Sequence, residues 1–179
     1  VYLSGITLAI YSPKERANIV AFAKRARSAG AIIAFDPNYR ARLWADAAEC
    51  RQAVSDLAPA ISIALPGFDE ERQVWGDADA DSTLARWRAL GVAEVVVKDG
   101  ARGALTLEGW RTGAARINPI DTTGAGDSFN AAYLAARLSG RTISESADRG
   151  AALAGLVVGH RGAIIQKDQM GALLRASTP

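Results

Sequence analysis

The sequence is short of the residues that usually announce a disulfide scaffold, a membrane protein or a nucleic-acid binder. It holds one cysteine in 179 residues, Cys50, so no intrachain disulfide can form. That usage fits a reducing, cytoplasmic setting. Cys50 is read as a small buried hydrophobe rather than a reactive thiol. His160 is the only histidine and is read as a loop residue without a catalytic role. The longest apolar stretches, AAYLAA and ALAGLVVG, fall far short of the roughly 20 residues a membrane helix needs. VYLSGITLAI, at the start, has neither a basic leader nor a cleavage site, so no signal peptide is expected there. Basic and acidic residues are interspersed and the net charge is only +2, which gives no nucleic-acid stripe. No repeat or low-complexity tract stands out, and the four tryptophans are scattered, as packing residues would be. The reading is one soluble globular domain that does not span a membrane.

What is present is an alternation of strand-like and helix-like patterns. VYLSGITLAI reads as a first strand. Ser12-Pro13 then opens a helix through KERANIVAFAKRARSAG, with Ile19, Phe22, Ala23 and Ala26 on one face and Gly30 closing it. AIIAF, ISIAL and VAEVVV are short continuous apolar runs of the kind expected of buried parallel strands. Helices are expected over 45–58, DEERQVW and DSTLARWRAL. GALTLEGWRTGAARI alternates and has Gly109 near a turn, which predicts an antiparallel hairpin. Two largely apolar helices follow near 125–139 and 143–158, the first expected to be buried on most of its surface, with a short terminal helix near 168–176. The pattern predicts a doubly wound, mostly parallel α/β sheet flanked by helices, with ligands at the carboxyl ends of the strands. FDPNYR, LPGFDEE and VKDGARG fall on that rim, and DTTGAGD has to meet them there.

DTTGAGDSF, residues 121–129, carries the chemistry. Gly124, Ala125 and Gly126 leave the amides of a helix's first turn open to a ligand. Those amides lack helical partners and sit at the positive end of the dipole, so an anion, usually phosphate, is the expected occupant. Asp127 lies in the same turn, where a carboxylate would repel phosphate. It makes sense as a general base that takes a proton from an attacking hydroxyl. Asp121, before the turn, suits amide capping or holding a cation. An ordinary capped helix start also accounts for Asp, Thr and Gly here. The stretch is neither a Walker GxxxxGK[ST] loop nor a dinucleotide fingerprint.

DTTGAGDSFNAAYL resembles the C-terminal signature of the pfkB/ribokinase family of carbohydrate kinases. FDPNYRARLW, LPGFDEE and VKDGARGA, in that order, resemble the 2-keto-3-deoxygluconate kinases within it. The resemblance runs over essentially the whole chain but covers only the later part of a family member. It implies a ribokinase-like fold in a single kinase domain over 1–179. By position, Asp127 is then the catalytic base, and Gly124, Ala125 and Gly126 form the anion hole. Asn38 and Arg40 match residues that reach the nucleotide phosphates and the acidic sugar. Arg40 suits either anion through its guanidinium fork, though a surface ion pair is the plainer use of it. Lys98, Gly100 and Gly103 match the loop lining the nucleotide; Lys98 also reads as a solvated strand end, and the glycines as turn formers. Glu70 matches an acid that organises Mg²⁺ through water, or else a solvated helix-start carboxylate. Asp121 and Thr123, with the loop ending at Gly162, match a site for a monovalent cation such as K⁺.

The sequence departs from the family pattern twice. Gly67 stands where many members have an amide side chain, and the amino-terminal part with its β lid has no counterpart. Opening at Val1 without methionine suggests a piece of a longer polypeptide. The resemblance implies ATP-dependent phosphorylation of a small acidic sugar, with Mg²⁺, in a protein that forms a homo-oligomer at full length. Fructose, ribose or nucleoside kinases, and a non-catalytic nucleotide-binding module, are the alternatives.

Overall fold

The computed structural model describes residues 1–111 and 119–166, in two compact units, Val1–Asp99 and Gly100–Pro179. The first unit is built on a four-stranded parallel sheet in the order β1 (Tyr2–Ser4), β2 (Ala34–Asp36), β3 (Ile63–Ala64) and β4 (Glu94–Val95). Every residue of β2 and β3 is buried. Strands covered on both faces need no polar alternation, which is why they read as continuous apolar runs. A further short strand, β5 (Val97–Lys98), follows β4, and Lys98 bridges to Gly67 in parallel.

VYLSGITLAI divides: only Tyr2–Ser4 is strand, and Gly5–Ala9 forms a one-turn helix, α1. The switch is local. Ser4 caps α1 by accepting from the Ile6 amide, and Gly5 permits an approach that no side chain would, since a Cβ there would lie 1.8 Å from the Pro37 carbonyl oxygen. Helix α2 (Pro13–Ser28) starts at Ser12, whose amide and hydroxyl both donate to Glu15. Gly30 closes it at φ +89°. Of its expected inner face, Ala23 is buried but Phe22 is 47% exposed.

Helices α3 (Ala47–Leu57), α4 (Phe68–Trp75) and α5 (Ala80–Ala89) fall where the patterns put them. Cys50 is buried on α3, and burial pushes its thiol up to about 12, which leaves it inert at neutral pH.

In the second unit, β6 (Ala104–Thr106) and β7 (Gly109–Arg111) form the expected antiparallel hairpin, with Thr106 paired to Gly109. The rest of that predicted hairpin and the terminal helix near 168–176 lie outside the described residues. Helices α6 (Ala125–Leu138) and α7 (Ile143–Val158) pack on one another. Phe129 stacks on Tyr133 at 6.1 Å, and Gly150 makes room for the Phe129 ring, which a Cβ would approach to 2.9 Å. Helix α6 is buried on one face only: Phe129, Asn130, Tyr133 and Ala136 are buried, whereas Leu138 is 72% exposed. Its alanines blur the amphipathic pattern, which is why the sequence reads as apolar all round. The architecture is the expected mixed α/β fold. Among the described residues no helix is long and apolar enough to cross a membrane.

Candidate active site

In the first unit, three strand-end loops meet. The turn after β2 begins at Asp36, which is only 3% exposed and accepts from the Asn38 amide at 3.1 Å. Asn38 sits at φ +38°, the one left-handed non-glycine among the described residues. Asparagine tolerates that region better than most residues. Arg40 then reaches the first turn of α4, just past the loop after β3, and its guanidinium donates to Glu70 Oε1 at 2.8 Å. Their side chains are 51% and 29% exposed, so this is a solvated pair that a ligand anion can compete for.

Lys98, at the end of β5, joins both other loops: its amide donates to the Pro66 carbonyl and its ammonium to Asp36 Oδ2 at 3.2 Å. Gly100 and Gly103, just beyond in the chain, adopt φ +50° and +97° around a short 3₁₀ turn. The residues singled out in FDPNYR and LPGFDEE are thus brought together, and Lys98 with them.

The glycine-rich turn opens α6 in the second unit. Gly124 is its N-cap at φ +77° and contributes no side-chain cap, unlike Asp46, Asp79 and Thr142 at the starts of α3, α5 and α7. The plain reading of DTTG as a side-chain cap for this helix therefore does not describe it. The Ala125 amide turns back to the Thr122 carbonyl at 3.2 Å. Among the described residues, the amides of Gly126 and Asp127 meet no acceptor in the protein. Those two N–H groups are what the turn offers an anion. Asp127 is exposed in this first turn, clear of the Phe129–Tyr133 packing on the buried face.

Asp121 has a structural task. Oδ1 accepts from the Thr123 amide and Oδ2 from the Gly162 amide, both at 2.9 Å. The Thr123 side chain, the Thr123 amide and the Gly162 amide together hold its carboxyl down, at about 2. The segment it grips packs directly on the turn: a Cβ on Gly124 would lie 2.6 Å from the Ala163 methyl. The Ile120 amide also donates to the Val158 carbonyl.

A carboxyl depressed from 3.8 to about 2 contributes stability above pH 3.8, lost as pH falls towards 2. Asp121→Asn is therefore expected to flatten the acid limb of a Tm-against-pH curve over that window. An unchanged limb would remove Asp121 from the set of groups that hold the turn.

Among the described residues no group of three or more His, Cys, Asp or Glu side chains could cage a metal. Glu70 gives one oxygen to Arg40, and a Cβ at residue 67 would lie 3.4 Å from its other oxygen, Oε2, so no side chain intervenes there. That donor set fits a hydrated Mg²⁺ held mainly by phosphates, which asks little of the protein. Asp121 and the Thr123 hydroxyl supply oxygen donors of the type a monovalent cation takes, although both carboxylate oxygens already accept amides. His160 Nδ1 lies 2.8 Å from the Leu156 carbonyl at the end of α7.

The sequence and the fold both have counterparts among known proteins. A sequence model described as pfkB family carbohydrate kinase matches residues 1–170. The chain belongs to the pfkB family. It is 40% identical to the 2-dehydro-3-deoxygluconokinase of Dickeya dadantii, over 96% of this chain and 58% of the relative. Identity to the enzyme of the same name from Escherichia coli K12 is 41% over the same shares. Among solved structures, the aminoimidazole riboside kinase of Salmonella enterica, in complex with aminoimidazole riboside and an ATP analogue, superposes with a TM-score of 0.81 at 28% identity. That match covers 97% of this chain and 61% of that one. The pfkB chain thus spans a little over half the length of the curated relatives it matches.

Sequence reasoning missed a second ionic centre in this pfkB chain. Glu71 is fully buried beside the partly exposed rim residue Glu70, and it accepts from Arg86 and, at 3.0 Å, from Trp87 Nε1. Arg86 also pairs with Asp77 at 2.6 Å and lies over the Trp75 ring. DEERQVW reads simply as a helix, with no role marked out for Glu71. The one usable sign was periodic: residue 71 shares a face with Phe68 and Val74, both buried.

Proposed function

We propose that the complete protein transfers the γ-phosphoryl group of ATP to a primary hydroxyl of 2-keto-3-deoxygluconate, giving the 6-phosphate. The observation that carries this is the exposed Asp127 carboxylate beside two open amides in the uncapped first turn of α6. Asp127 accepts the hydroxyl proton as the sugar oxygen forms its bond to Pγ and the bond from Pγ to the ADP oxygen breaks. The Gly126 and Asp127 amides, within the turn formed by Gly124, Ala125 and Gly126, stabilise charge on the group in transit. A well-placed donor of this kind contributes about 10²–10³ in rate.

On the rim of the first unit, Arg40 recognises the sugar carboxylate and Asn38 a phosphate. Further along the chain, the Gly100–Gly103 turn lets the nucleotide approach the backbone. Glu70 holds Mg²⁺ through water, and the bound ion offsets phosphate charge. Asp121 and Thr123 hold a monovalent cation such as K⁺ next to the anion turn. Names shared by the relatives support the acidic sugar, as does a half-exposed guanidinium whose present partner is a partly exposed carboxylate.

The test is a comparison of turnover on 2-keto-3-deoxygluconate, fructose and ribose, with calorimetric titration of an ATP analogue. The keto-deoxy acid is expected to have the highest kcat/KM, and Arg40→Met to lower it mainly through KM. A faster reaction on ribose or fructose would replace the substrate. Nucleotide binding without phosphorylation of any sugar would replace the kinase with a binding module.

A further inference from the structure

Lys98 does not point out of the rim as a lysine reaching for phosphate would. Its side chain is 15% exposed and its ammonium lies against Asp36, whose own side chain is 5% exposed. Neither charge tolerates separation there, because a buried carboxylate left without its cation is strongly disfavoured. The other oxygen of Asp36 accepts the Asn38 amide and so closes the turn that puts Asn38 at φ +38°. A non-glycine residue in that region persists only when its surroundings over-determine it.

Here the surroundings include several ties. Gly5 lets the Pro37 carbonyl come in where a Cβ would stand 1.8 Å away. Asp36 ties the Asn38 amide, and Lys98 ties Asp36. Lys98 also donates its amide to Pro66 at 2.8 Å, and Arg40 binds Glu70. The three strand-end loops are therefore linked pairwise into a closed ring, with Lys98 in two of the three links.

We propose that Asp36 and Lys98 are positioning residues, a buried ion pair that fixes the 36–40 turn and so aims Asn38 and Arg40, with Lys98 acting through Asp36 and not on the nucleotide. This rests on the reading of Asn38 and Arg40 as the ligand-binding residues of the rim. A ring of this kind matters because a misplacement of about 1 Å in a binding group can cost about 10²-fold in rate.

The test compares Lys98→Met, Asp36→Asn and the double variant with the wild type in the complete protein. In Lys98→Met the Asn38 amide is expected to exchange its hydrogen several-fold faster. The kcat/KM for the acidic sugar falls by about 10²-fold, and the affinity for a non-hydrolysable ATP analogue falls with it, because Asn38 is displaced too. In Asp36→Asn/Lys98→Met neither member of the pair is left charged without the other. The amide oxygen introduced at position 36 still accepts from the Asn38 amide, so most of these losses are recovered.

An ATP-analogue affinity weakened equally in Lys98→Met and in the double variant would overturn the proposal, since Lys98 would then touch nucleotide. Unchanged exchange at Asn38 in Lys98→Met would overturn it too. If Lys98→Met does not fold, the double variant decides: wild-type-like exchange and analogue affinity uphold the ring, and loss of affinity with a normal Tm ends it. A wild type that phosphorylates no sugar defeats the kinase reading alone, because the exchange comparison still stands.

Discussion

Asp127→Asn in the complete protein is expected to lower kcat by about 10²–10⁴-fold while nucleotide affinity moves by no more than a few-fold. Asparagine keeps the size of the side chain and leaves the Gly126 and Asp127 amides where they are, so the anion turn survives. What it loses is the basic carboxylate, since an amide oxygen keeps its lone pairs but is too weak a base to take the proton. The loss therefore falls on the chemical step and not on binding, the pattern of an interaction made only in the transition state. Because residue 127 is exposed and outside the Phe129–Tyr133 packing, Tm should hardly change. Equal turnover in both forms would end the general-base assignment, and a large fall in Tm would mean that the carboxylate supports the helix.

Arg86→Met is expected to cost about 3–5 kcal/mol of folding stability, the range for removing one partner from a buried ionic cluster. Its guanidinium pairs with both Glu71 and Asp77, whose side chains are 2% and 8% exposed. Methionine fills much of the volume over Trp75 but leaves two carboxylates side by side. The deficit has a pH signature. Burial already pushes Glu71 up to about 7, against the pull of Arg86 and the Trp87 hydrogen bond. A carboxyl raised above its unfolded value of 4.5 takes up a proton in the folded chain first, so lowering the pH favours folding. Without the guanidinium that rise is larger, and the variant's deficit should shrink between about pH 8 and about pH 5. Urea unfolding at both ends of that window measures it. A deficit that is small and independent of pH would show that the cluster contributes packing alone.

The parts of the fold set by local chemistry were readable in advance. Continuous apolar runs marked β2 and β3 because both faces are covered. Ser12-Pro13 marked the start of α2, and the starts expected at residues 81 and 143 fall within a residue of those found. The limits are equally physical. Gly5 breaks the first apolar run because of a distant neighbour, the Pro37 carbonyl, which no window around residue 5 contains. Phe22 looks like a core residue and is half-exposed, since hydrophobicity alone does not say what lies opposite.

At the candidate site, the sequence put Asp127 in an open first turn, and the chain folds that way. Which amides stay open was not readable: the bond from Ala125 back to Thr122 depends on backbone dihedrals that the letters G-A-G leave free. Lys98 and Asp36 lie 62 positions apart, and only the pairing of neighbouring strands makes them partners.

The close fit of Gly124 on Ala163, with Asp121 clasping the Gly162 amide, couples two properties that are usually considered apart. The cradle at the head of α6 is not a self-contained motif. Its floor arrives some forty residues later in the chain, so it is assembled only when the exit from α7 has docked. By mass action, an anion that prefers the assembled cradle must also draw that exit segment home. Occupancy of the turn that opens α6 and order in the segment that leaves α7 are then a single equilibrium, read out equally well by a ligand or by a probe on residue 162.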